Sequence, residues 1–344
     1  MRIIIPMAGI GSRLKPHTLT VPKPLTPIAG KPIVQRLVEE INRTVSEPVE
    51  EIGFIIGPAS KGFPSGTGNR LKQIAGELGA GARIFVQEQA LGTAHAIYQA
   101  REMLDGKCVV AFADTLFKAD FSLDPAADGV IWVHKVDNPE SFGVVQLDDS
   151  GAITGFVEKP DVFVSDLAII GIYYFKDAAV LRNEIEYLIN NGIRGKGGEY
   201  QLTDALEAMK NKGLRFLPGT VNDWMDNGNK DVAVQTNAKI LEYAAAEGEK
   251  LIAADLVREN AGIIPPCYIG EGVRLKNSTI GPHVSIGAGT VVENSHIRNS
   301  LIQNNSLIKN ARLANSMIGN NVVFDGNFDN VSLGDFSQLT VQNK

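Results

Sequence analysis

RIIIPMAGIGSRLKPHTLTVPKPLTPIAGK, residues 2–31, decides how the rest of the chain is read. Its apolar run, Ile3-Ile4-Ile5, predicts a buried strand. The strand enters a glycine turn, Gly9-Ile10-Gly11, followed at once by Ser12 and Arg13, with Lys15 and Lys23 further along the loop. Glycine permits positive φ and close approach of backbone to a ligand. Main-chain amides bared by such a turn form an anion nest, and nearby cations add charge. The pattern points to a phosphate-rich ligand. A dinucleotide fingerprint would need glycine where Leu14 stands, and a Walker loop would need Gly-Lys-Ser/Thr, which does not follow. The plain alternative is a tight strand-to-loop turn with surface charges.

Working outward, strands alternate with helices. Pro32–Thr44 places Ile33, Leu37 and Ile41 at helical spacing. Ile52–Ile56 predicts a second buried strand, Gly57–Gly68 a loop rich in Gly, Pro and Ser, and Arg83–Gln87 a third strand. Gly92–Leu104 predicts a helix, and Cys108–Ala113 a strand ending at Asp114. This alternation predicts βαβ units and a parallel sheet. Ligands of such sheets sit beyond the carboxyl ends of the strands, where Gly9 to Arg13, Gln87 and Asp114 all fall. From Ile131 to Phe175 strand-like runs follow one another without long helices, predicting a mixed extension of the sheet. Helical patterns return at 178–191, 201–211 and 229–246, and the stretch Trp224-Met225-Asp226-Asn227-Gly228 precedes the last of them.

Beyond Ile263 the texture changes. The tetrapeptides NSTI, NSHI, NSLI, NSLI and NSMI recur from 277 to 318. Apolar residues fall every five or six positions, and three such steps make one turn of a triangular coil. Ile269, Ile286, Ile302 and Ile318 are therefore expected to stack. This is the hexapeptide signature of a β-helix. The final segment, Phe324 to Lys344, loses the period and is expected to cap the solenoid. The expected organisation is a Rossmann-like α/β domain with a mixed, mainly parallel sheet over 1–245, a linker over 246–262, and a short left-handed parallel β-helix with its cap over 263–344.

A chain of 344 residues suffices for two or three domains, and 44% hydrophobic with 21% charged residues is ordinary for a globular protein. The net charge of −6 gives no general attraction to nucleic acid or anionic membrane, so neither is an expected partner. Cys108 and Cys267 fit no metal-ligand spacing. So few cysteines, and no apolar run near the roughly 20 residues of a membrane span, lead to an expected cytoplasmic location.

Several side chains carry candidate chemistry. Asp114 and Asp226 each end an apolar stretch. Two carboxylates in one pocket can hold Mg²⁺, although a strand-end Asp capping a turn is common. Gln87 offers both donor and acceptor to a base edge, and Gly92 would let a base lie against backbone. His95 reads as structural, and Cys108 as a small core residue.

The ordered series GxGSRL, PKPL and GKP (Gly9, Gly11, Ser12, Arg13, Pro22 to Leu25, Gly30 to Pro32) resembles the signature loop of the sugar-1-phosphate nucleotidyltransferases. The resemblance runs over about 1–245 in several motifs in the right order. It implies that Ala8, Gly9, Gly11, Ser12, Arg13, Gln87, Gly92 and Thr93 bind the nucleotide. It implies a sugar-phosphate site of Gly143, Glu158, Lys159, Ala168 and Tyr173, with Asp166 standing where the family often has Asn. It implies Mg²⁺ on Asp114 and Asp226, Asp223 being a nearby decoy, and catalytic roles for Arg13, Lys23 and Lys159. Glu199 to Asp204 matches a further family motif, with Arg194 and Lys196 just before it. The implied reaction (EC 2.7.7.-) joins a nucleoside triphosphate and a sugar 1-phosphate, releasing pyrophosphate.

The single glycine before Ile10 resembles the UDP-glucose branch. The β-helix resembles the tails of long thymidylyltransferases, mannose-1-phosphate guanylyltransferases and bifunctional N-acetylglucosamine-1-phosphate uridylyltransferases. Glucose 1-phosphate with dTTP or UTP is the expected pair, the other two substrate pairs being the alternatives. An acyltransferase role for the β-helix finds no catalytic His loop beyond His283 and His296. An inactive regulatory subunit is disfavoured by the retained Arg13, Lys23, Asp114, Lys159 and Asp226. The β-helix is expected to support a homo-oligomer.

Overall fold

Nine strands form the main sheet of a computed structural model that describes residues 1–340 except 10, 46, 120–123, 125, 327 and 329. They are β1 (Arg2–Pro6), β2 (Glu51–Ile56), β3 (Gly81–Val86), β4 (Cys108–Ala111), β5 (Gly129–Lys135), β6 (Gly143–Leu147), β7 (Ile153–Glu158), β8 (Leu167–Phe175) and β9 (Phe216–Thr220). Their order is β7-β6-β8-β4-β1-β2-β3, with β5 pairing β8 and β9. The β4-β1-β2-β3 half is parallel. β8 runs antiparallel to β4, β5 and β6. The sheet is thus mixed and mainly parallel, as expected. Ile3, Ile4 and Ile5 are fully buried, because helices cover both faces of a parallel sheet.

The chain divides into two compact units. The first comprises 1–9 and 37–224 and holds this sheet. Its core joins Ile4, Val110, Ile131, Phe175 and Phe216 to α3 (Thr93–Tyr98), α4 (Ala178–Asn190) and α5 (Leu202–Asn211). α3 is shorter than the expected 92–104 helix. Ala100 leaves helical geometry at φ −99°, ψ 24°, and a 3₁₀ turn over Arg101–Met103 follows.

The second unit comprises 10–36 and 225–344. It contains the signature loop, a small hairpin of Pro27–Ile28 with Lys31–Pro32, α6 (Lys230–Ala246) and a left-handed parallel β-helix. The β-helix strands form three sheets in which every third strand pairs. The register Ile269↔Ile286↔Ile302↔Ile318 is the stack read from the sequence. The corners take left-handed conformations. Asn260, Asn277, Asn294 and Asn310 have φ between 46° and 51°. Their side-chain amides bond coil to coil, at 3.0, 3.2 and 3.4 Å. Asn tolerates this region better than other non-glycine residues. The winding also continues past the point where the sequence period fades. Leu333 pairs below Ile318, and Leu339 below Phe324, inside the segment expected as a cap.

The β-helix is joined within its unit to α6 and to the loop. Asn237 of α6 accepts from Ala29 N (3.0 Å) and from Ser285 Oγ (2.6 Å). Gln303 Nε2 donates to Pro27 O at 3.3 Å. Tyr268 packs so closely on Gly30, which has φ +83°, that a Cβ there would sit 2.2 Å from its ring. No helix among the described residues is long and apolar enough to cross a membrane.

Candidate active site

The residues of the first unit expected on the nucleotide side follow carboxyl ends of parallel strands. Ala8 and Gly9 follow β1, Gln87 follows β3, and Asp114 comes three residues after β4. Gln87 is buried, and its Nε2 donates to Gly92 O (3.2 Å). Gly92 has φ +116°, and a Cβ there would lie 2.4 Å from Tyr200 O, so only glycine fits. Thr93 opens α3 and accepts from Leu202 N (2.9 Å), tying this turn to α5.

The loop belongs to the second unit. Gly11 takes φ +64°, and its absent Cβ would fall 2.7 Å from Lys23 Cβ. Gly9 needs no such conformation and faces open space. Thr18 Oγ1 donates to Gly11 O at 2.9 Å, while Ser12 and Arg13 are exposed. Lys23 is buried. Asp226 and Arg13 come together around Gly228. A Cβ on that glycine would be 2.7 Å from Asp226 Oδ2 and 3.5 Å from Arg13 Cζ. The missing side chain leaves a cradle between a carboxylate and a guanidinium.

The residues expected on the sugar side lie in the first unit. Glu158 Oε2 accepts from Thr203 Oγ1 (3.1 Å), and a Cβ on Gly143 would sit 3.0 Å from the same oxygen. Burial raises the Glu158 pKa, against a lowering by Lys159, whose Nζ is 3.8 Å from Glu158 Oε1. Lys159 is exposed and holds φ +42°, a conformation that costs of order 1–3 kcal/mol outside glycine. Its N–H donates to Phe142 O (3.0 Å), which helps to fix that turn. Ala168 pairs with Val144 on the strand that begins at Gly143. Tyr173 is buried, and burial raises its pKa strongly. Lys196 is bound to Asp161 at 2.5 Å, while Arg194 lies 4.9 Å over the Tyr200 ring.

Two residues escaped sequence reasoning. Asn227 is fully buried, yet neither atom of its amide has a partner among the described residues. An unpaired buried amide costs roughly 1–3 kcal/mol. His17, also buried, lies 3.1 Å from Ser332 Oγ in the last coil. No local pattern marks either residue. Among the described residues no three His, Cys, Asp or Glu side chains converge as a metal cluster. Cys108 and Cys267 are free and buried, and burial pushes the Cys108 thiol up to about 12.

Residues 2–243 match the nucleotidyl transferase family, and the chain belongs to that family. It is therefore a nucleotidyltransferase. It is 28% identical to a glucose-1-phosphate thymidylyltransferase of Streptomyces griseus, over 88% of this chain and 87% of that one. It is 30% identical to the bifunctional protein GlmU of Methanococcus maripaludis (strain DSM 14266), over 77% of this chain and 62% of that one. Its fold resembles a UDP-glucose pyrophosphorylase complexed with UDP-glucose, at a TM-score of 0.56 and 22% identity, covering 70% of this chain and 98% of that one.

Proposed function

We propose that the chain joins a nucleoside triphosphate to a hexose 1-phosphate, glucose 1-phosphate with dTTP or UTP being the preferred pair. The observation that carries the sugar side is the convergence of Gly143, Glu158 and Thr203 on one carboxylate oxygen. A half-buried carboxylate beside a bare backbone suits sugar hydroxyls. The relative from Streptomyces griseus supports glucose and thymidine.

A sugar phosphate oxygen attacks the α-phosphorus in line. The new P–O bond forms as the bond to the bridging β-phosphate oxygen breaks, and pyrophosphate leaves. The nucleophile is an anion at pH 7, so no general base is required. Catalysis is positioning and charge neutralisation. Gly9, Gly11, Ser12 and Arg13 hold the β- and γ-phosphates, and Lys23 neutralises the α-phosphate. Lys159 steers the sugar phosphate. Gln87, Gly92 and Thr93 take the base side. Asp114 and Asp226 are the oxygen donors that would hold Mg²⁺, which would supply positive charge to the phosphates. The catalytic domain is 1–245 and the β-helix 263–344, with a linker over 246–262 whose Val257–Glu259 strand already pairs with Arg274–Lys276 of the β-helix. The β-helix serves assembly into a homo-oligomer.

Pyrophosphate release with Mg²⁺ tests the reading. ATP, CTP, GTP, UTP and dTTP are paired with glucose, mannose, galactose and N-acetylglucosamine 1-phosphates. One dominant pair is expected. Silence of folded protein across the panel would favour an inactive regulatory subunit.

A further inference from the structure

The three faces of the β-helix differ in what covers them. One lies against α6, where Ser285 Oγ donates to Asn237 Oδ1 at 2.6 Å. On a second, Lys276 pairs with Glu259 and Lys309 with Glu293, each at 3.0 Å. The third is built from the strands Gly262–Ile263, Thr279–Ile280, His296–Arg298 and Arg312–Ala314. Ile280, Ile297 and Leu313 are buried in the solenoid core, so the residues beside them point outward. The register sets Thr279, His296 and Arg312 in one outward row and Arg298 beside Ala314 in the next. None of these four strands carries an acidic residue. His296, Arg298 and Arg312 are exposed, and their side chains have no ion pair or hydrogen bond among the described residues. The chain as a whole has a net charge of −6, so this cationic face stands out against its surroundings.

A groove of about 630 Å³ runs over the same face, bounded by His296, Arg298 and Arg312 together with Thr279, Asn315 and Asn330. That volume suits a small metabolite. Its polar wall is held in place. Asn330 Oδ1 accepts from Lys230 Nζ at 2.6 Å, and Asn315 O accepts from the same nitrogen at 3.0 Å. An ammonium can only donate, so Asn330 turns its oxygen to Lys230 and keeps its NH₂ group unused. Asn315 Oδ1 accepts from Asn299 Nδ2 at 2.5 Å, which leaves a second NH₂ group without a partner among the described residues. Asp231 lies 2.6 Å from Lys230 and answers its charge. What remains unused is donors: two guanidinium groups and two amide NH₂ groups, with an imidazole and the Thr279 hydroxyl beside them. No carboxylate and no aromatic ring other than His296 lines the groove among the described residues.

We propose that this face of the β-helix binds a small phosphomonoester whose remainder carries hydroxyl groups, a phosphorylated sugar or polyol, at a site separate from the one that transfers the nucleotide. None of the groove residues has a part in that transfer. Arg298 and Arg312 are diagonal neighbours on adjacent strands, with Cα atoms about 8 Å apart from strand spacing and rise. Two long side chains at that separation can close on one phosphate, each through paired N–H bonds. His296, next to Arg312 in its row, faces the same anion. Thr279, Asn315 and Asn330 meet the hydroxyl oxygens. A bare phosphate would leave most of the groove empty. A nucleobase would find no aromatic platform beyond one imidazole, and such stacking is a main source of base affinity.

Imidazole NMR of the full chain tests this, with glucose 6-phosphate, inorganic phosphate and AMP as probes. The chain has five histidines, and a His296→Gln variant identifies the resonance that reports on the groove. Glucose 6-phosphate should move that resonance along a saturating curve with a midpoint below about 1 mM. Arg298→Ala and Arg312→Ala should each weaken binding by about tenfold or more, with native circular dichroism, because both side chains are exposed. Lys159→Ala, which belongs to the proposed transfer site, should leave the titration unchanged. A shift still linear at about 10 mM, one that survives both arginine substitutions, or one abolished by Lys159→Ala overturns the site. Inorganic phosphate or AMP binding as tightly as glucose 6-phosphate overturns the ligand class. Light scattering addresses the other occupant of such a face. Dissociation of a wild-type oligomer by Arg298→Glu or Arg312→Glu would assign the face to a second copy of the chain and overturn the proposal, whereas an unchanged mass supports it.

Discussion

His17 Nε2 and Ser332 Oγ lie 3.1 Å apart although 315 residues separate them in sequence. The imidazole sits in the loop that follows Gly11, and the hydroxyl sits in the last coil of the β-helix. Beside this bond Thr20 Oγ1 donates to Asp335 Oδ2 at 2.5 Å. Pro16 lies under Gly334, where a Cβ would come within 2.9 Å. Ser332→Ala should cost about 1 kcal/mol, the usual worth of one such bond. Urea unfolding followed by circular dichroism measures it, and a change below a few tenths would show that the bond contributes nothing.

Burial sets the acid limit of the same contact. Desolvation lowers the His17 pKa from 6.5 to about 4, with Asp335 opposing and Lys230 adding to the fall. Above pH 6.5 the ring is neutral in folded and unfolded chains alike. Between pH 6.5 and 4 the unfolded chain gains a proton that the folded one refuses, so stability drops as pH falls, by up to about 3 kcal/mol. Unfolding of wild type and His17→Gln over this range is the check. The variant should lose that part of the slope.

Gly228 separates Asp226 from Arg13. A methyl at 2.7 Å from Asp226 Oδ2 must displace the carboxylate. Gly228→Ala should therefore lower kcat by at least tenfold. Arg13→Ala and Asp226→Ala should each cost roughly 10²–10³, by analogy with loss of one oxyanion-hole donor. Circular dichroism should stay native in all three. Near-normal turnover of Arg13→Ala or Asp226→Ala would remove these residues from the mechanism.

Gly92→Ala meets main-chain atoms of Tyr200, not a flexible side chain, and does so at φ +116°. Loss of about 2–4 kcal/mol is expected from overpacking plus strain. A melting temperature within a degree or two of wild type would contradict the geometry.

The corner ladder makes a graded prediction. Asn294, at φ +48°, bonds to Asn277 and Asn310. Asn294→Gly should cost little, whereas Asn294→Val should cost about 1–2 kcal/mol from the left-handed conformation alone. Thermal melts of the pair rank them, and equal stability would mean the corner carries no strain.

The parts of this molecule that were legible in its sequence are those whose cause is local or periodic. Ile3 to Ile5 are apolar because a parallel sheet buries both faces. The Ile269 stack is legible because each coil repeats its inward positions. The coil containing Leu333 is hidden in the sequence, because its Asn-Ser-x-Ile signature is gone and the five-to-six-residue apolar step lapses between Phe324 and Leu333. The helix at Gly92 was overextended, since periodicity carried past Ala100, where the backbone leaves the helix. His17, Asn227 and the Arg298–Arg312 groove depend on partners brought together by folding, or on partners that are missing. No window of sequence contains that information.

Residues 10–36 belong to the same compact unit as the β-helix. A laboratory fragment ending at Ala246, tempting as a minimal enzyme, would carry the loop over 10–36 without its partners Tyr268, Gln303, Ser332 and Asp335. For the same reason, a recombinant that borrowed its 3′ half from a cousin would inherit a new floor under an old loop. In this chain the boundary between core and accessory is not a place where the gene can be cut cleanly.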